Sequence, residues 1–300
     1  GFDLVIGNPP WAKIQWNEQG ILSDCNPLFA VKKLTATQTA HYREAALTSN
    51  HTRVMYFSEY KSMSGKQDFL NATQNYPLLK GQQTNLYKCF LPQAWQYGSE
   101  YGASAFIHLD GIFDDPRADV LRAVLYSKLK YHFKFQNEKL LFDIMHTRSY
   151  SANVYANSQK CINFDCIFDL YDPITIDECY EGAISDTVPG IKDGKGNWNT
   201  HGHPKRIVHV TKKELLLFAN VFDNSDEWKT ARLPVIHADQ LLKVLEIFSA
   251  QSKTLKDIRD NVYCSEMWHE TNNQLDGTIN RNVHFPESIT GLIMSGPHIS

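Results

Sequence analysis

The chain opens on an apolar run, Phe2–Gly7, that stops at a polar residue, two prolines and an aromatic, Asn8-Pro9-Pro10-Trp11. The valine and isoleucine of this run favour a β-strand. Because proline cannot donate a backbone N–H and has a fixed φ, we expect the strand to end there in a rigid loop. Open α/β sheets bind ligands at the carboxyl ends of their strands. The pattern therefore predicts a ligand-binding loop directly after the first strand.

Further along the chain, apolar segments alternate between helical and strand periodicity. Asp115-Pro116 predicts a helix start, because Asp is a good N-cap and Pro suits the first helical position. The helix should run to about Leu125. Strands and helices in alternation are typical of an α/β fold. The other elements expected in the first half of the chain are short helices at residues 29–34, 41–47 and 54–60, a buried strand at 102–109, and closing strands at 131–135, 140–142 and 151–156.

From residue 161 onward the pattern predicts a mixture of strands and helices. Thr211 and Glu214 form a capping box, which marks a helix start. Gly194-Lys195-Gly196 lies in a polar loop, 187–204, and indicates a turn because no buried strand precedes it. Strands are expected at 161–171, 207–210, 262–269 and 289–299, and an amphipathic helix at 238–248 whose core face would carry Leu241, Leu242, Leu245 and Phe248.

The Asn-Pro-Pro-Trp loop offers hydrogen-bond acceptors beside an aromatic face. An exocyclic amine can donate its two hydrogens to the Asn8 side-chain oxygen and the Pro9 carbonyl, while its ring stacks on Trp11. In these residues the chain resembles the N6-adenine DNA methyltransferases, whose loop is Asn or Asp, two prolines and an aromatic. The resemblance covers roughly residues 1–160 and is strongest to type IIG and related restriction-modification methylases.

The resemblance implies an α/β fold in which residues 1–160 form the C-terminal, catalytic half of a Rossmann-like methyltransferase sheet. It implies transfer of a methyl group from S-adenosyl-L-methionine to adenine N6 in DNA. Residues 84–97 resemble the helix that follows the catalytic loop in this family. The residues assigned by the resemblance are Asn8, Pro9, Pro10 and Trp11 for catalysis; Asn8, Asn85 and Leu86 for the cofactor; and Trp11 and Phe142 for stacking on the target base. The alternative role of Phe142 is a core residue after Leu140-Leu141.

The chain departs from the family before and after the loop. The glycine-rich turn and the acidic residue that bind the cofactor precede the catalytic loop in the larger amino-methylase group, whereas only seven residues precede Asn8 here. We therefore expect a piece of a longer polypeptide that is inactive alone. The expected domains are 1–160, the catalytic half, with a helical insertion at about 12–83 over the target base or DNA backbone; 161–288, a mixed α/β connecting region; and 289–300, the start of a target-recognition domain.

Composition indicates which kind of protein this is and in which compartment we expect it. The chain is 42% hydrophobic, enough for a large core. No apolar run approaches membrane-spanning length, so no membrane partner is expected. The six cysteines include no Cys-x-x-Cys pair, which favours reduced thiols in the cytoplasm. A zinc site is the alternative for Cys161, Cys166, His201 and His203, but their spacing does not fit the common patterns, and no metal is expected.

The expected partner is double-stranded DNA with a flipped adenine, with other defence-system subunits as further candidates. Because the net charge of the chain is −3, DNA binding would depend on local clusters of Lys and Arg and not on the overall charge. Two alternatives stay open. One is an inactive DNA-binding or specificity module of a defence complex, which cofactor binding would distinguish from an enzyme. The other is a methyltransferase for a protein glutamine or an RNA amine, which the long region after residue 160 argues against.

Overall fold

The computed structural model describes residues 1–32, 34–83, 85–182, 187–251, 257 and 269–279. The chain forms two compact units, Gly1–Ala250 and Gln251–Ser300. The strand predicted at 289–299, and with it the start of the predicted target-recognition domain, lies outside the described residues, as does the strand predicted at 262–269 apart from its last residue.

The first unit is built on one mixed sheet of six strands. Its strands are β1 (Phe2–Gly7), β2 (Gly98–Leu109), β3 (Leu129–Gln136), β4 (Ser149–Ala156), β5 (Asn163–Leu170) and β6 (Val208–Thr211). Their order across the sheet is β1-β2-β4-β3-β5-β6. The α/β class predicted from the sequence is confirmed. The sheet continues past residue 160, since β5 and β6 extend it beside β3.

Strand direction brings several loops to one edge of the sheet. β1 is parallel to β2, and β3 is parallel to β5. β4 is antiparallel to both β2 and β3, so those two strands also run the same way. The four parallel strands therefore end at the same side, which we call the carboxyl edge. The residues that follow them there are Asn8, Asp110, Asn137 and Tyr171.

Helices occupy three of the connections between strands and the segment after β6. Those of the first unit are α1 (Glu18–Ser23), α2 (Leu28–Val31), α3 (Ala36–Ala46), α4 (Asn50–Asn71), α5 (Leu86–Tyr97), α6 (Asp119–Tyr126), α7 (Ile174–Glu181), α8 (Lys212–Phe218) and α9 (Gln240–Ser249), and the second unit contains α10 (Glu270–Leu275). The capping box predicted at α8 is confirmed: the Thr211 side chain caps the first turn and Glu214 accepts from the Thr211 backbone N–H.

Apolar side chains from the two faces of the sheet enter separate clusters. On one face, α5, α6 and α8 pack on β2, β4, β5 and β6 around fully buried residues such as Leu121 and Phe164. On the other, α7 packs on β3, β4 and β5, and Trp11 and Phe142 join this cluster. Helices α1 to α4 have a small core of their own around Leu22. The sheet thus separates two packed layers.

The helix predicted to open at Asp115 begins four residues later, at Asp119. The Asp115 carboxylate is occupied elsewhere, because it accepts from the backbone N–H of Arg117 at 2.9 Å and pairs with Lys88 Nζ at 3.2 Å. Long-range pairing with Lys88, which the local pattern cannot show, accompanies the delayed helix start.

Two further expectations were wrong. Residues 140–142 form no strand, because Leu140 adopts a left-handed backbone with φ of 51° inside the loop between β3 and β4. In α9 the predicted core face is only partly buried. Leu242 and Leu245 pack against the core, whereas Leu241 and Phe248 are exposed. Helix α4 is also much longer than the predicted 54–60 segment, at 22 residues.

The packing of α6 gives a stability prediction. Leu121 is fully buried while its neighbour Val120 is 46% exposed. Leu121→Ala should lower the free energy of unfolding by about 2–5 kcal/mol, because it removes buried methyl groups and leaves a cavity. Val120→Ala is the matched control and should change it by less than about 0.5 kcal/mol. Urea unfolding followed by circular dichroism measures both, and equal losses would contradict the assigned helix face.

Candidate functional site

The Asn-Pro-Pro-Trp loop lies at the carboxyl end of β1 with its side chains in different environments. Asn8 and Pro10 are exposed, Pro9 is buried and Trp11 is half-buried. The Asn8 amide is thus open to a ligand, whereas the backbone at Pro9 is fixed by packing. The loop combines one accessible polar side chain with a rigid frame.

Trp11 is anchored to the sheet. Its indole Nε1 donates to the carbonyl oxygen of Ile107 in β2 at 3.2 Å. Its ring lies 5.9 Å from that of Tyr150 in a stacked arrangement and 4.7 Å from that of Phe142, tilted by 44°. A half-buried tryptophan normally pairs its N–H in this way while its ring packs against other aromatics. The loop is therefore fixed to β2, to β4 and to the loop between β3 and β4.

Trp11 and Phe142, both predicted to stack on a target base, contact each other. Their ring centroids are 4.7 Å apart. A base held between two rings needs them about 7 Å apart, because each carbon contact takes roughly 3.5 Å. The structure therefore brings the two predicted stacking residues together with no room for a base between them.

The predicted cofactor residues Asn85 and Leu86 adjoin the segment that follows Trp11. The backbone N–H of Leu86 donates to the Ala12 carbonyl at 3.0 Å, and Asn85 forms a β-bridge with Lys13. This pairing ties the start of α5 to the segment that directly follows the Asn-Pro-Pro-Trp loop. The sequence therefore folds so that residues 85–86 and the Asn8 loop meet, although 73 positions separate Lys13 from Leu86.

Asn85 and Leu86 also present binding features. The Asn85 side chain is buried, and its Oδ1 has no hydrogen-bond donor among the described residues. Leu86 lines an open cavity of about 530 Å³ together with Ile14, Phe69 and Leu70. The structure thus places a buried acceptor without a described donor one residue before a side chain that lines an apolar cavity.

A buried polar network crosses the face of the sheet that α5 covers, opposite the face on which α7 packs. His108 Nδ1 donates to the Leu109 carbonyl at 2.8 Å, so Nε2 is left to accept from Asn153 Nδ2 at 3.0 Å. His132 Nδ1 then donates to Asn153 Oδ1 at 2.7 Å. The strand pairing that places Asn153 opposite His132 builds this chain of bonds. It connects β2, β4 and β3 below α5.

The network ends in a charged group at the carboxyl edge. Asp110 Oδ2 lies 2.6 Å from Lys134 Nζ, and Oδ1 lies 3.6 Å from His132 Nε2. Burial alone would raise the pKa of Asp110, but His132 and Lys134 together outweigh it and lower that pKa. Burial lowers the pKa of His108 to about 4. Asp110 is therefore held as a carboxylate and His108 as a neutral ring.

Sequence reasoning missed two residues that position the site. Tyr150 supports the Trp11 ring. Asn137, 1% exposed, donates from Nδ2 to the carbonyls of Phe142 at 3.0 Å and Ile144 at 2.8 Å, and accepts from the Phe142 N–H at 3.2 Å. A single Asn after a strand and a Tyr within a strand are common in sequences. Nothing in the neighbouring residues marks Asn137 or Tyr150 as part of a site.

No protein-family model matches the chain, and no curated protein matches it. Three solved structures are similar to parts of it. They are the ATP-dependent Type ISP restriction-modification enzyme LlaBIII bound to DNA (13% identity, 55% of this chain, 10% of that chain, TM-score 0.29), a DrdV–DNA complex (16%, 54%, 14%, 0.30) and the Type I restriction enzyme EcoKI M protein (11%, 66%, 49%, 0.31). The chain thus spans at most about half the length of these proteins.

Two other properties concern the described part of the chain. No helix there is long and apolar enough to span a membrane. No three or more His, Cys, Asp or Glu side chains come together there in a way that could hold a metal ion. Of the residues considered for zinc, Cys166 is buried within β5 and Cys161 is exposed.

The buried His108 ring predicts a pH dependence of stability. Its pKa is about 4 in the folded chain and 6.5 in the unfolded chain, so between these values the unfolded chain binds more protons. The neutral His108 ring therefore contributes to the free energy of unfolding in full above pH 6.5, and this contribution is lost as the pH falls towards 4. The loss is on the order of 3 kcal/mol, since one pKa unit is worth about 1.4 kcal/mol.

Comparing variants isolates this contribution. His108→Asn keeps a polar side chain without a titrating ring. The free energy of unfolding of this variant, measured with urea, should therefore fall less than that of wild type between pH 6.5 and 4. His146→Asn is the matched control, because the His146 side chain is 61% exposed, and it should follow the wild-type curve. Parallel curves for wild type and His108→Asn would contradict a neutral, buried His108.

Proposed function

We propose that the chain transfers a methyl group from S-adenosyl-L-methionine to N6 of adenine in DNA, as the catalytic part of a cytoplasmic restriction-modification or anti-phage defence enzyme. The observation that carries the proposal is the Asn-Pro-Pro-Trp loop at the carboxyl end of β1. Asn8 is exposed there, and Trp11 is anchored beside it through Ile107. Together they offer acceptors for an amine and a fixed aromatic surface for its ring.

The loop would activate a poor nucleophile. The lone pair of an adenine amine is delocalised into the ring, and transfer requires it to be localised on nitrogen. The Asn8 side-chain oxygen and the Pro9 carbonyl would accept the two amine hydrogens and stabilise the positive charge that develops on nitrogen. The buried proline ring at position 9 fixes the backbone, so this acceptor needs no reorganisation during the reaction.

The aromatic residues would receive the base. Flipping a base out of a duplex costs a few kcal/mol, and stacking on an aromatic returns about 1–3 kcal/mol. The Trp11 side chain is held by a hydrogen bond to Ile107, whereas the bonds of Asn137 hold only the backbone of Phe142. We therefore infer that the Phe142 ring rotates aside to admit the base while Trp11 stays in place.

Asn85 and Leu86 would hold the cofactor, with Asn8 at its reactive end. The unpaired Asn85 Oδ1 suits the amine of an adenine ring, and the apolar cavity at Leu86 suits its flat face. When bound, S-adenosyl-L-methionine supplies an electrophilic methyl group on a positively charged sulfur. The backbone bond between Leu86 and Ala12 would keep this region in register with the catalytic loop.

Asn8 also favours adenine as the target. The methylases that the chain resembles use Asn or Asp at this position, whereas enzymes that act on cytosine N4 more often have Ser. Duplex DNA is the proposed substrate, and other defence-system subunits are the proposed partners.

Substitution of Asn8 tests the mechanism. Asn8→Ala removes one of two acceptors and should lower the transfer rate by about 10²–10³-fold, as expected for one preorganised transition-state hydrogen bond. Asn8→Asp is the matched control and should retain much activity, because a carboxylate oxygen replaces the amide oxygen. The measurement is mass spectrometry of nucleosides from DNA incubated with the intact protein and labelled cofactor. N4-methylcytosine, or label only in protein or RNA, would refute the proposal.

Substitution of Trp11 tests the stacking role. In the intact protein, Trp11→Ala should weaken productive base capture, whereas Trp11→Phe or Trp11→Tyr should keep much of the activity because an aromatic face remains. Methylation rates at limiting and saturating DNA separate capture from transfer. Equal rates in all three variants would show that Trp11 only packs against Tyr150 and Phe142.

A further inference from the structure

Helix α4 contains a glycine, Gly65, well inside its 22 residues. Glycine in a helix interior is less favourable than alanine, because folding must order a more flexible backbone. The φ of Gly65 is not positive, so the backbone conformation does not require glycine. A Cβ atom built at this position meets nothing within 4 Å. Packing inside the described part of the chain therefore does not require glycine at position 65 either.

Gly65 lines the open cavity of about 530 Å³ that Leu86 also lines. Phe69 belongs to the same wall, because positions four apart lie on one face of a helix. Its side chain is 58% exposed, so much of the ring is free to contact a ligand. The residues that line the cavity are Ile14, Gly65, Lys66, Phe69, Leu70 and Leu86, of which Lys66 is the one charged residue.

Hydrogen bonds hold the segments that line this cavity in place. Gln67 Nε2 in α4 donates to the Ile14 carbonyl at 2.9 Å. The Leu86 backbone N–H donates to the Ala12 carbonyl, two residues before Ile14, at 3.0 Å. Both α4 and the start of α5 are therefore attached to the segment that directly follows the Asn-Pro-Pro-Trp loop. The cavity is formed by the protein alone, beside the proposed catalytic residues.

The lining indicates which ligand fits. An apolar wall with an exposed phenyl ring suits the flat face of an aromatic ring. Asn85, one residue before Leu86, has a buried Oδ1 without a donor among the described residues, and an amine on that ring would supply one. A DNA backbone would instead need several cationic groups, whereas Lys66 is the one cation of the lining. Adenine combines the flat face with the amine.

We propose that the end of α4 forms one wall of the cofactor site, where the absence of a side chain at Gly65 lets the adenine ring of S-adenosyl-L-methionine approach the helix and contact Phe69. The inference rests on the proposed function and deepens it, because it names residues of the insertion that select the cofactor. The helical insertion at about 12–83 was expected over the target base or the DNA backbone. The inference assigns the end of its last long helix to the cofactor.

The test uses the intact protein and S-adenosyl-L-homocysteine, which keeps the adenine ring but has no methyl group to transfer. Calorimetric titration gives its dissociation constant for wild type, Gly65→Ala and Gly65→Leu. The matched control is Ser58→Leu, because Ser58 is exposed in the same helix and does not line the cavity. Urea unfolding of each variant reports stability. Fluorescence anisotropy with duplex DNA reports DNA binding.

Gly65→Leu should raise the dissociation constant about tenfold or more, and Gly65→Ala should raise it by less, because each side chain occupies space that the ring needs. The control should bind like wild type. The urea midpoints of both Gly65 variants should equal or exceed that of wild type, since alanine and leucine favour a helix more than glycine does. Weaker binding by a protein that is at least as stable cannot be caused by unfolding.

Four results would overturn the inference. They are failure of wild type to bind the ligand, an unchanged dissociation constant in Gly65→Leu, an equal loss in the control, and a lower urea midpoint for Gly65→Leu, which would show that position 65 packs within the protein. If Gly65→Leu weakened only the binding of DNA, the helix would face the duplex instead.

Nucleoside analysis of DNA incubated with wild type separates this inference from the proposed function. Weaker ligand binding by Gly65→Leu, with no methyl group transferred to DNA by wild type, would retain the α4 wall and refute the DNA methyltransferase. Methylation of adenine by wild type, with an unchanged dissociation constant in Gly65→Leu, would retain the methyltransferase and refute the wall.

Discussion

The position of Trp11 is the constraint on which the candidate site depends. Its indole hydrogen bond to Ile107 fixes the loop to β2, and its ring packs on Tyr150 and Phe142. These contacts come from the face of the sheet that α7 covers, whereas α5 packs on the other. The buried Pro9 and the backbone bond from Leu86 to Ala12 hold the loop as well, whereas Asn8 and Pro10 are exposed. The proposed acceptor geometry at Asn8 follows from this anchorage.

On the face of the sheet that α5 covers, a buried polar network supports the carboxyl edge. Burying His108 and Asp110 would be costly without partners, but Asn153, Tyr155 and Lys134 satisfy most of their polar atoms. Tyr87 of α5, the residue after Leu86, stacks on the His108 ring with centroids 5.1 Å apart. The start of α5 is thus held from below by the network and from the side by the Ala12 carbonyl. A proposed cofactor region built in this way would be preorganised.

What the sequence could predict was local. β1, the rigid loop after it and the capping box at Thr211 depend on neighbouring residues, and the structure has all three where expected. Tyr150 and Asn137 escaped prediction because their roles depend on strand pairing and on a loop that folds back. The helix predicted to start at Asp115 begins later, and the Asp115 carboxylate instead pairs with Lys88, which is 27 positions away in the sequence. The apolar run at Leu140 resembled a strand, yet its exposure and backbone belong to a loop tip.

We propose that the carboxyl edge of the sheet receives a flipped adenine between Trp11 and Phe142. The most direct measurement is the structure of the intact protein bound to a duplex that contains its modification site. The account predicts that the two rings separate from 4.7 Å to about 7 Å, with a base between them and its amine within hydrogen-bond distance of Asn8 and the Pro9 carbonyl. Rings still in contact, with every base stacked in the duplex, would contradict it.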